Sequence, residues 1–474
     1  MLLNKTALVR LSLAVVLALG AQVGTSFAMA ATAPLSEIQQ IKQWTTSRDR
    51  KLVETQTNEW VKTPKLDPTE INIDASKKAQ SIIGFGAAFT DAACYMINQL
   101  DPAAKQKLID HLYSKQGLGL GIGRLCIGSS DYATVAYSYD DGEADPELKR
   151  FTIEHDKKWI LPVLRMARKA NPDLYLFASP WSPPGWMKPN KSMLGGCMTR
   201  TYMAPYAQYF LKFLRSYESE GVPIQAVTIQ NEVDTDQEGK MPACAWPQEY
   251  EMDFCSLHLG PLLEKENVNT KIWIIDHNYN LWGRALGELE NPTVRKYANA
   301  IAWHGYVGAP DAIQRVHSAH PNTDMHWTEG GPDYVDPQYA TNWAKWSETF
   351  TSILRNWCRS ITAWNLALDE KGRPNIGPFP CGGLVTINSK TKDISYSGQY
   401  WAISHFSKFI TPGSTIISSE STRKDVKHVA ARTPDGKTVV VLTNPGTATE
   451  VVLRNGAQTT LVSLPGDSVS TVSW

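Results

Sequence analysis

Ala226-Val227-Thr228-Ile229-Gln230 is a largely apolar run, and an amide and an acid, Asn231 and Glu232, follow it. It reads as a β-strand buried on both faces, with its chemistry at the carboxyl end. His326-Trp327-Thr328-Glu329-Gly330-Gly331 closes a second run of this form, Met325–Glu329, again on a glutamate. Six more runs share the pattern: Ser81–Gly86, Leu118–Leu125, Leu174–Ser179, Lys271–Asp276, Ala300–His304 and Ile361–Asn365. Amphipathic segments separate them, at Asp101–Ser114, His155–Lys169, Tyr202–Glu218, Gln248–Leu263 and Gln338–Asn356. The first opens with Asp101-Pro102, an N-cap followed by proline at the first helical position. Eight apolar strands alternating with helices over residues 80–410 predict an α/β fold, a (β/α)8 TIM barrel. The other candidate is an open doubly wound sheet. Gly84-Phe85-Gly86-Ala87-Ala88-Phe89 follows the first strand but lacks the third glycine of a dinucleotide fingerprint.

On either side of this region the grammar changes. Residues 31–50 read as a polar, helix-prone lead-in, followed by extended candidates at Lys51–Gln56 and Glu70–Asp74. After a closing helix at Tyr396–Ile410 come Thr415–Ser419, Val426–Arg432, Thr438–Leu442, Glu450–Leu453, Thr459–Leu464 and Ser468–Val472. Pro434-Asp435-Gly436, Asn444-Pro445-Gly446, Asn455-Gly456 and Pro465-Gly466 supply the turns between them. Residues 411–474 therefore predict an accessory antiparallel β-sandwich domain. Residues 31–79 are expected to join it, so that it is built from both chain ends.

Lys5 and Arg10, the apolar run Leu11–Ala21 and the small-x-small site Ala28-Met29-Ala30 have the layout of a secretory signal peptide over residues 1–30. The apolar run is too short to span a bilayer, and no later stretch is longer, so no transmembrane segment is expected in the mature chain. A secreted or periplasmic location follows. Cleavage removes Lys5 and Arg10 and no acid, turning the balance of 47 and 47 charges into 45 basic against 47 acidic. A balance so near neutral, without a basic cluster, gives no electrostatic footprint for nucleic acid. The 474 residues include 16 Trp and 18 Tyr, whose flat faces suit either a core or a sugar ring. Of seven cysteines, Cys126 reads as a buried thiol. Cys197, Cys244 and Cys381, in Gly/Pro-rich loops, are the disulfide candidates. There is no CxxC pair and no HExxH, so neither a metal nor a cofactor is expected.

In a parallel barrel, function gathers at the carboxyl ends of the strands. Those ends carry Gly86, Arg124, Ser179 with Trp181, Asn231 with Glu232, Asp276, His304, Glu329 and Trp364. A lone glutamate at a strand end is more often a salt-bridge partner; two, on strands four and seven, face each other across the barrel mouth. Such a pair suits glycosidic bond cleavage, one acid as proton donor and one carboxylate opposite it. A retaining pair stands about 5–5.5 Å apart and an inverting pair about 6.5–9.5 Å. Proximity pushes their proton affinities apart, so that one is protonated while the other is ionised. The alternative from another class, a carbohydrate-binding protein without catalysis, sits poorly with both glutamates and Asn231 being present.

The chain resembles glycoside hydrolase family 30, in particular its glucosylceramidase-like members. The resemblance runs from about residue 50 to the end. It rests on Gly84-Phe85-Gly86-Ala87-Ala88-Phe89-Thr90-Asp91-Ala92-Ala93, Ser179-Pro180-Trp181-Ser182-Pro183-Pro184-Gly185-Trp186-Met187-Lys188, Thr228–Glu232, His304-Gly305-Tyr306, Thr328-Glu329-Gly330, Trp364-Asn365-Leu366-Ala367-Leu368 and His405–Ile410. The strand-four and strand-seven motifs are shared by a broad clan of barrel glycosidases; those of Trp181 and Trp364 narrow it to this family. The resemblance implies a retaining double displacement on a β-linked glucoside (oligosaccharide, polysaccharide or glycolipid), with Glu329 as nucleophile and Glu232 as acid/base. It implies that Asn231 meets the sugar 2-OH, that Asp131 and Trp181 hold the far hydroxyls, and that Trp364 forms the floor. His304 and Tyr306 would flank the nucleophile. Pro374-Asn375 looks like the counterpart of a rim segment that places an asparagine, here Asn375, near the sugar. Ile376 stands where animal glucosylceramidases have tryptophan, so the resemblance leaves β-1,6-glucan, xylosides and fucosides open beside glucosylceramide.

Overall fold

Eight parallel strands close into a barrel: Gly84–Phe89, Ile122–Cys126, Tyr175–Ser179, Ala226–Thr228, Lys271–Asn278, Ala298–His304, Asp324–Glu329 and Cys358–Ala363, the last pairing with the first. The computed structural model describes residues 40–63 and 65–474; the signal-peptide segment 1–30 lies outside the described residues. Each strand is apolar on both faces because one face packs on the surrounding helices and the other fills the barrel. Inside, Ile122, Phe177, Ala226, Trp273, Ala300 and Ala302 form one cluster. The His326 ring stacks on Trp273 at 4.1 Å, with Nδ1 2.8 Å from Ser360 Oγ. Burial pushes His326 down to about 3, so it is a neutral part of this filling. The first strand needs its glycine: a Cβ on Gly86 would sit 1.7 Å from the carbonyl oxygen of Ile122.

The second body is a ten-stranded, mostly antiparallel sheet. Ile41–Ser47, Arg50–Asn58, Val61–Lys62 and Ile71–Ser81 come from the amino-terminal side. Thr415–Glu420, Lys427–Arg432, Thr438–Asn444, Thr449–Asn455, Gln458–Leu464 and Ser468–Ser473 come from the carboxyl-terminal side. Both chain ends thus share one sheet, and side chains such as Ile41, Ile73, Val440, Leu453, Val462 and Val472 meet in a single core.

Here one expectation is corrected. The helix-prone lead-in contains the strand Ile41–Ser47, paired with Arg50–Asn58 on one side and Ser468–Ser473 on the other. Its partner is more than 400 residues away in sequence, and that pairing overrides local propensity. The His405 ring ties this seam to the barrel: Nδ1 is 2.8 Å from Thr471 Oγ1 and Nε2 is 2.8 Å from Thr46 Oγ1. Burial pushes His405 down to about 3, leaving one ring nitrogen to donate and one to accept.

The disulfide candidates are also corrected, since all seven cysteines are free thiols. Cys244 lies in the main hydrophobic core and Cys381 in the apolar cluster of Trp181 and Trp364, while Cys197 is exposed on its loop. Burial pushes the Cys244 thiol up to about 12, the behaviour of a packed apolar side chain rather than a reactive one.

Candidate active site

Arg124, on the second barrel strand, is fully buried and gathers the strand ends around itself. Nε donates to Ser179 Oγ at 3.1 Å, and one terminal nitrogen donates to Asn231 Oδ1 and to Asp276 Oδ2, both at 2.8 Å. The other terminal nitrogen donates to Glu329 Oε2. The guanidinium also lies 4.6 Å from the Trp181 ring centroid and 5.6 Å from that of Trp364. Burial alone would weaken its hold on the proton, but the Asp276 and Glu329 charges overcome this and raise its pKa. One cation therefore fixes residues from the third, fourth, fifth and seventh strands.

Asp276 is the matching anion. It accepts from Ser179 Oγ at 2.8 Å and from Thr228 and Thr328 Oγ1 at 2.7 Å, and His304 Nε2 lies 3.1 Å away. Burial would raise its pKa, yet the Arg124 charge and these hydrogen bonds hold it below the usual carboxylate range.

On this frame stand the two glutamates. Glu329 Oε1 accepts from the Tyr306 hydroxyl at 3.0 Å, and its other oxygen faces Arg124. Glu232 has a left-handed φ of +56°, which turns its side chain off the strand direction and into the mouth. Its Oε2 accepts from Gln237 Nε2 at 2.5 Å, and its Oε1 lies 3.5 Å from both His277 Nε2 and His304 Nδ1. Burial would raise the Glu232 pKa, and the two imidazoles lower it below the carboxylate range. One side-chain atom each from Glu232, His304 and Glu329 lies within 4.8 Å of the others.

Between the glutamates opens a cavity of about 420 Å³. Trp181 and Trp364, stacked at 5.1 Å with planes 20° apart, form one wall, and Asn231 and Asp131 reach it beside them. Burial, with the charges of Glu329 and Glu232 adding to it, pushes the Asp131 carboxyl well up from the usual carboxylate range.

Of the residues singled out in the sequence, Asp131, Trp181, Asn231, Glu232, Tyr306, Glu329 and Trp364 line this cavity. His304 does not: it is fully buried behind the glutamates, between Asp276 and Glu232. Asn375 is turned into its own loop. Its amide donates to the Phe379 carbonyl at 2.6 Å and to the Tyr132 hydroxyl at 3.3 Å, and its oxygen accepts from Gly377 N at 2.6 Å. It braces the rim rather than lining the cavity.

Gln237, His277, Asn278 and Phe379 also line the cavity, and sequence reasoning missed them. For His277 a signal existed, because it directly follows Asp276. Strict alternation puts neighbours on opposite faces, so only one of the pair is expected to face the site. Positive φ at Ile275 (+77°) and Asp276 (+44°) breaks the alternation. The register with the next strand slips there too, from Ala302↔Ile275 to Trp303↔His277. This bulge brings both side chains to the site.

Residues 82–410 match the glycosyl hydrolase family 30 TIM-barrel domain, and residues 413–472 match the glycosyl hydrolase family 30 beta sandwich domain. An endo-1,6-beta-D-glucanase of Neurospora crassa is 33% identical over 396 residues, covering 78% of this chain and 80% of that protein. The lysosomal acid glucosylceramidase of Mus musculus is 31% identical over 401 residues, covering 79% and 77%. The solved structure of the endo-beta1,6-glucanase BT3312 superposes with a TM-score of 0.84 at 27% identity, covering 92% of this chain and 99% of that one.

Proposed function

This chain belongs to glycosyl hydrolase family 30 and is a glycoside hydrolase, and we propose from that premise that it is an exported, retaining hydrolase of β-glucosides. The spacing of the two glutamates carries the reading. One side-chain oxygen of Glu232 and one of Glu329 lie within 4.8 Å of each other, which favours the about 5–5.5 Å spacing of a retaining pair over the about 6.5–9.5 Å of an inverting one.

The geometry supports a division of labour. Glu329, ionised and held by Arg124 and Tyr306, attacks the anomeric carbon. Glu232, which the two imidazoles hold below the carboxylate range in the free enzyme, must first take up a proton, and it gives that proton to the departing glycosidic oxygen. The covalent glycosyl-enzyme on Glu329 is then opened by water, whose proton returns to Glu232, and the two inversions leave the β configuration. Asn231 Oδ1 is taken by Arg124, which turns its amide NH2 toward the cavity and the sugar 2-OH. Trp181 and Trp364 offer an apolar wall to the ring's C–H face, and Asp131 hydrogen-bonds a hydroxyl.

A β-glucoside is favoured because the glucanase and glucosylceramidase relatives both carry glucose in their names. Export rests on the signal layout of residues 1–30. Time-resolved proton NMR of aryl β-glucoside hydrolysis tests the reading: β-glucose accumulates first and the α anomer follows only by mutarotation. First appearance of α-glucose, or faster cleavage of an aryl β-xyloside or β-fucoside, contradicts it.

A further inference from the structure

Glu232 is the first of three linked ionisable groups. His277 Nε2 lies 3.5 Å from Glu232 Oε1, and the other ring nitrogen, Nδ1, lies 2.5 Å from Asp234 Oδ1. The chain runs outward, since the side chains of Glu232 and His277 are 12% and 10% exposed and that of Asp234 is 40% exposed. We infer that His277, clamped by Asp234, is a positioning residue that tunes the proton affinity of Glu232 and so sets the alkaline limit of acid catalysis; this rests on the proposed acid/base role of Glu232.

Each nitrogen of the ring faces a carboxylate oxygen. A neutral imidazole has one bare lone pair, which would then point at an anion; the imidazolium has a proton for each. Burial opposes that charge, but the Asp234 and Glu232 carboxylates close to the ring overcome it and push His277 up to about 9. The other groups around Glu232 are His304 Nδ1 at the same oxygen and the neutral Gln237 amide at Oε2. Across the cavity are Asp131, Glu329 and Tyr306. Asp276 lies behind His304, and the Arg284 charge acts on Asp234. His277 is the cation in this set whose own position is fixed by an acid outside the Arg124 frame.

A cation beside Glu232 favours its anion. Removing the cation therefore raises the Glu232 pKa, and the alkaline limb of kcat/KM, which reports loss of the acid's proton in the free enzyme, moves to higher pH. In His277→Asn and Asp234→Asn the limb measured with phenyl β-glucoside is expected to rise by about 1 pH unit or more. With 2,4-dinitrophenyl β-glucoside, whose leaving group departs without a proton, it stays in place. Asp234 is the more exposed of the two, so its variant keeps the test open if His277→Asn does not fold. A limb that stays fixed with phenyl β-glucoside in Asp234→Asn, moves down, or moves equally with both substrates overturns the inference. Failure of the underlying reading has a different signature, full activity on phenyl β-glucoside in Glu232→Gln.

Discussion

Glu329→Gln is expected to lose turnover by on the order of 10,000-fold or more, the scale seen when a covalent nucleophile is removed from an otherwise intact site. The substitution is close in size, and the glutamine oxygen can still accept from the Tyr306 hydroxyl, 3.0 Å from Oε1 in the native site. The site's shape is largely kept, while nucleophilicity and the charge that pairs with Arg124 are lost. Glu329→Gly goes further and leaves a space beside Arg124, whose guanidinium bonds Glu329 Oε2. A small anion drawn there by the charge can attack in place of the carboxylate. Azide or formate is therefore expected to restore part of the rate, and azide to yield the α-glucosyl azide, because it enters from the nucleophile's face. The same treatment of Glu232→Gly is expected to yield the β-azide, since azide then opens the glycosyl-enzyme from the opposite face. Normal activity in Glu329→Gln would remove the assignment.

Arg124→Met should be the most damaging change to stability. Methionine fills much of the volume but leaves Asp276 and Glu329 without their buried cation, and Ser179 and Asn231 without a donor. Breaking a buried ion pair by removing one partner costs about 3–5 kcal/mol. Arg124 holds two anions, so the loss belongs at the upper end of that range. Thermal or denaturant unfolding checks it: Tm falls, and activity falls even in the protein that stays folded, because Glu329 is no longer held toward the cavity. Replacing Asp276 as well, in Arg124→Met with Asp276→Asn, should recover part of the stability but not the activity. Near-native unfolding in the single variant would mean that the strand ends are held without Arg124.

The barrel was legible because its signal is repeated. The runs read at Leu174–Ser179, Ala226–Gln230, Lys271–Asp276 and Met325–Glu329 fall on observed strands to within two residues. The first two runs start well before their strands, and Ile361–Asn365 starts after the beginning of its strand Cys358–Ala363 and runs past its end. Ser81 closes the preceding sheet strand Ile71–Ser81, and Leu118 and Leu120 pack in the loop before Ile122–Cys126. Helices were harder at their interruptions. The expected helix Gln248–Leu263 is interrupted by a π-helical turn at Phe254–Leu259, where hydrogen-bonding order changes without a change in apolar pattern. The strand Ile41–Ser47 was missed because its partner is the far end of the chain.

At the site, strand-end residues such as Arg124, Asn231, Glu232, Asp276 and Glu329 could be found by position alone. His277 could not, because only the bulge at Ile275 and Asp276 turns it inward. Gln237 could not either. Its place beside Glu232 depends on a loop whose Gln237 and Glu238 both take φ of +51°, a conformation neither residue type announces. Asn375 shows the converse. Its counterpart in a motif put it near the sugar, but its own hydrogen bonds to Phe379 and Gly377 turn it into the loop.

In the proposed double displacement Glu329 carries the sugar between the two half-reactions. Incubation with 2-deoxy-2-fluoro-β-glucosyl fluoride, followed by proteolysis and mass spectrometry of the peptides, tests it most directly. One fluoroglucosyl group per chain is expected, on Glu329, with activity lost in step with labelling and regained as the label hydrolyses. A label on any other residue, or inactivation without a covalent adduct, would contradict it.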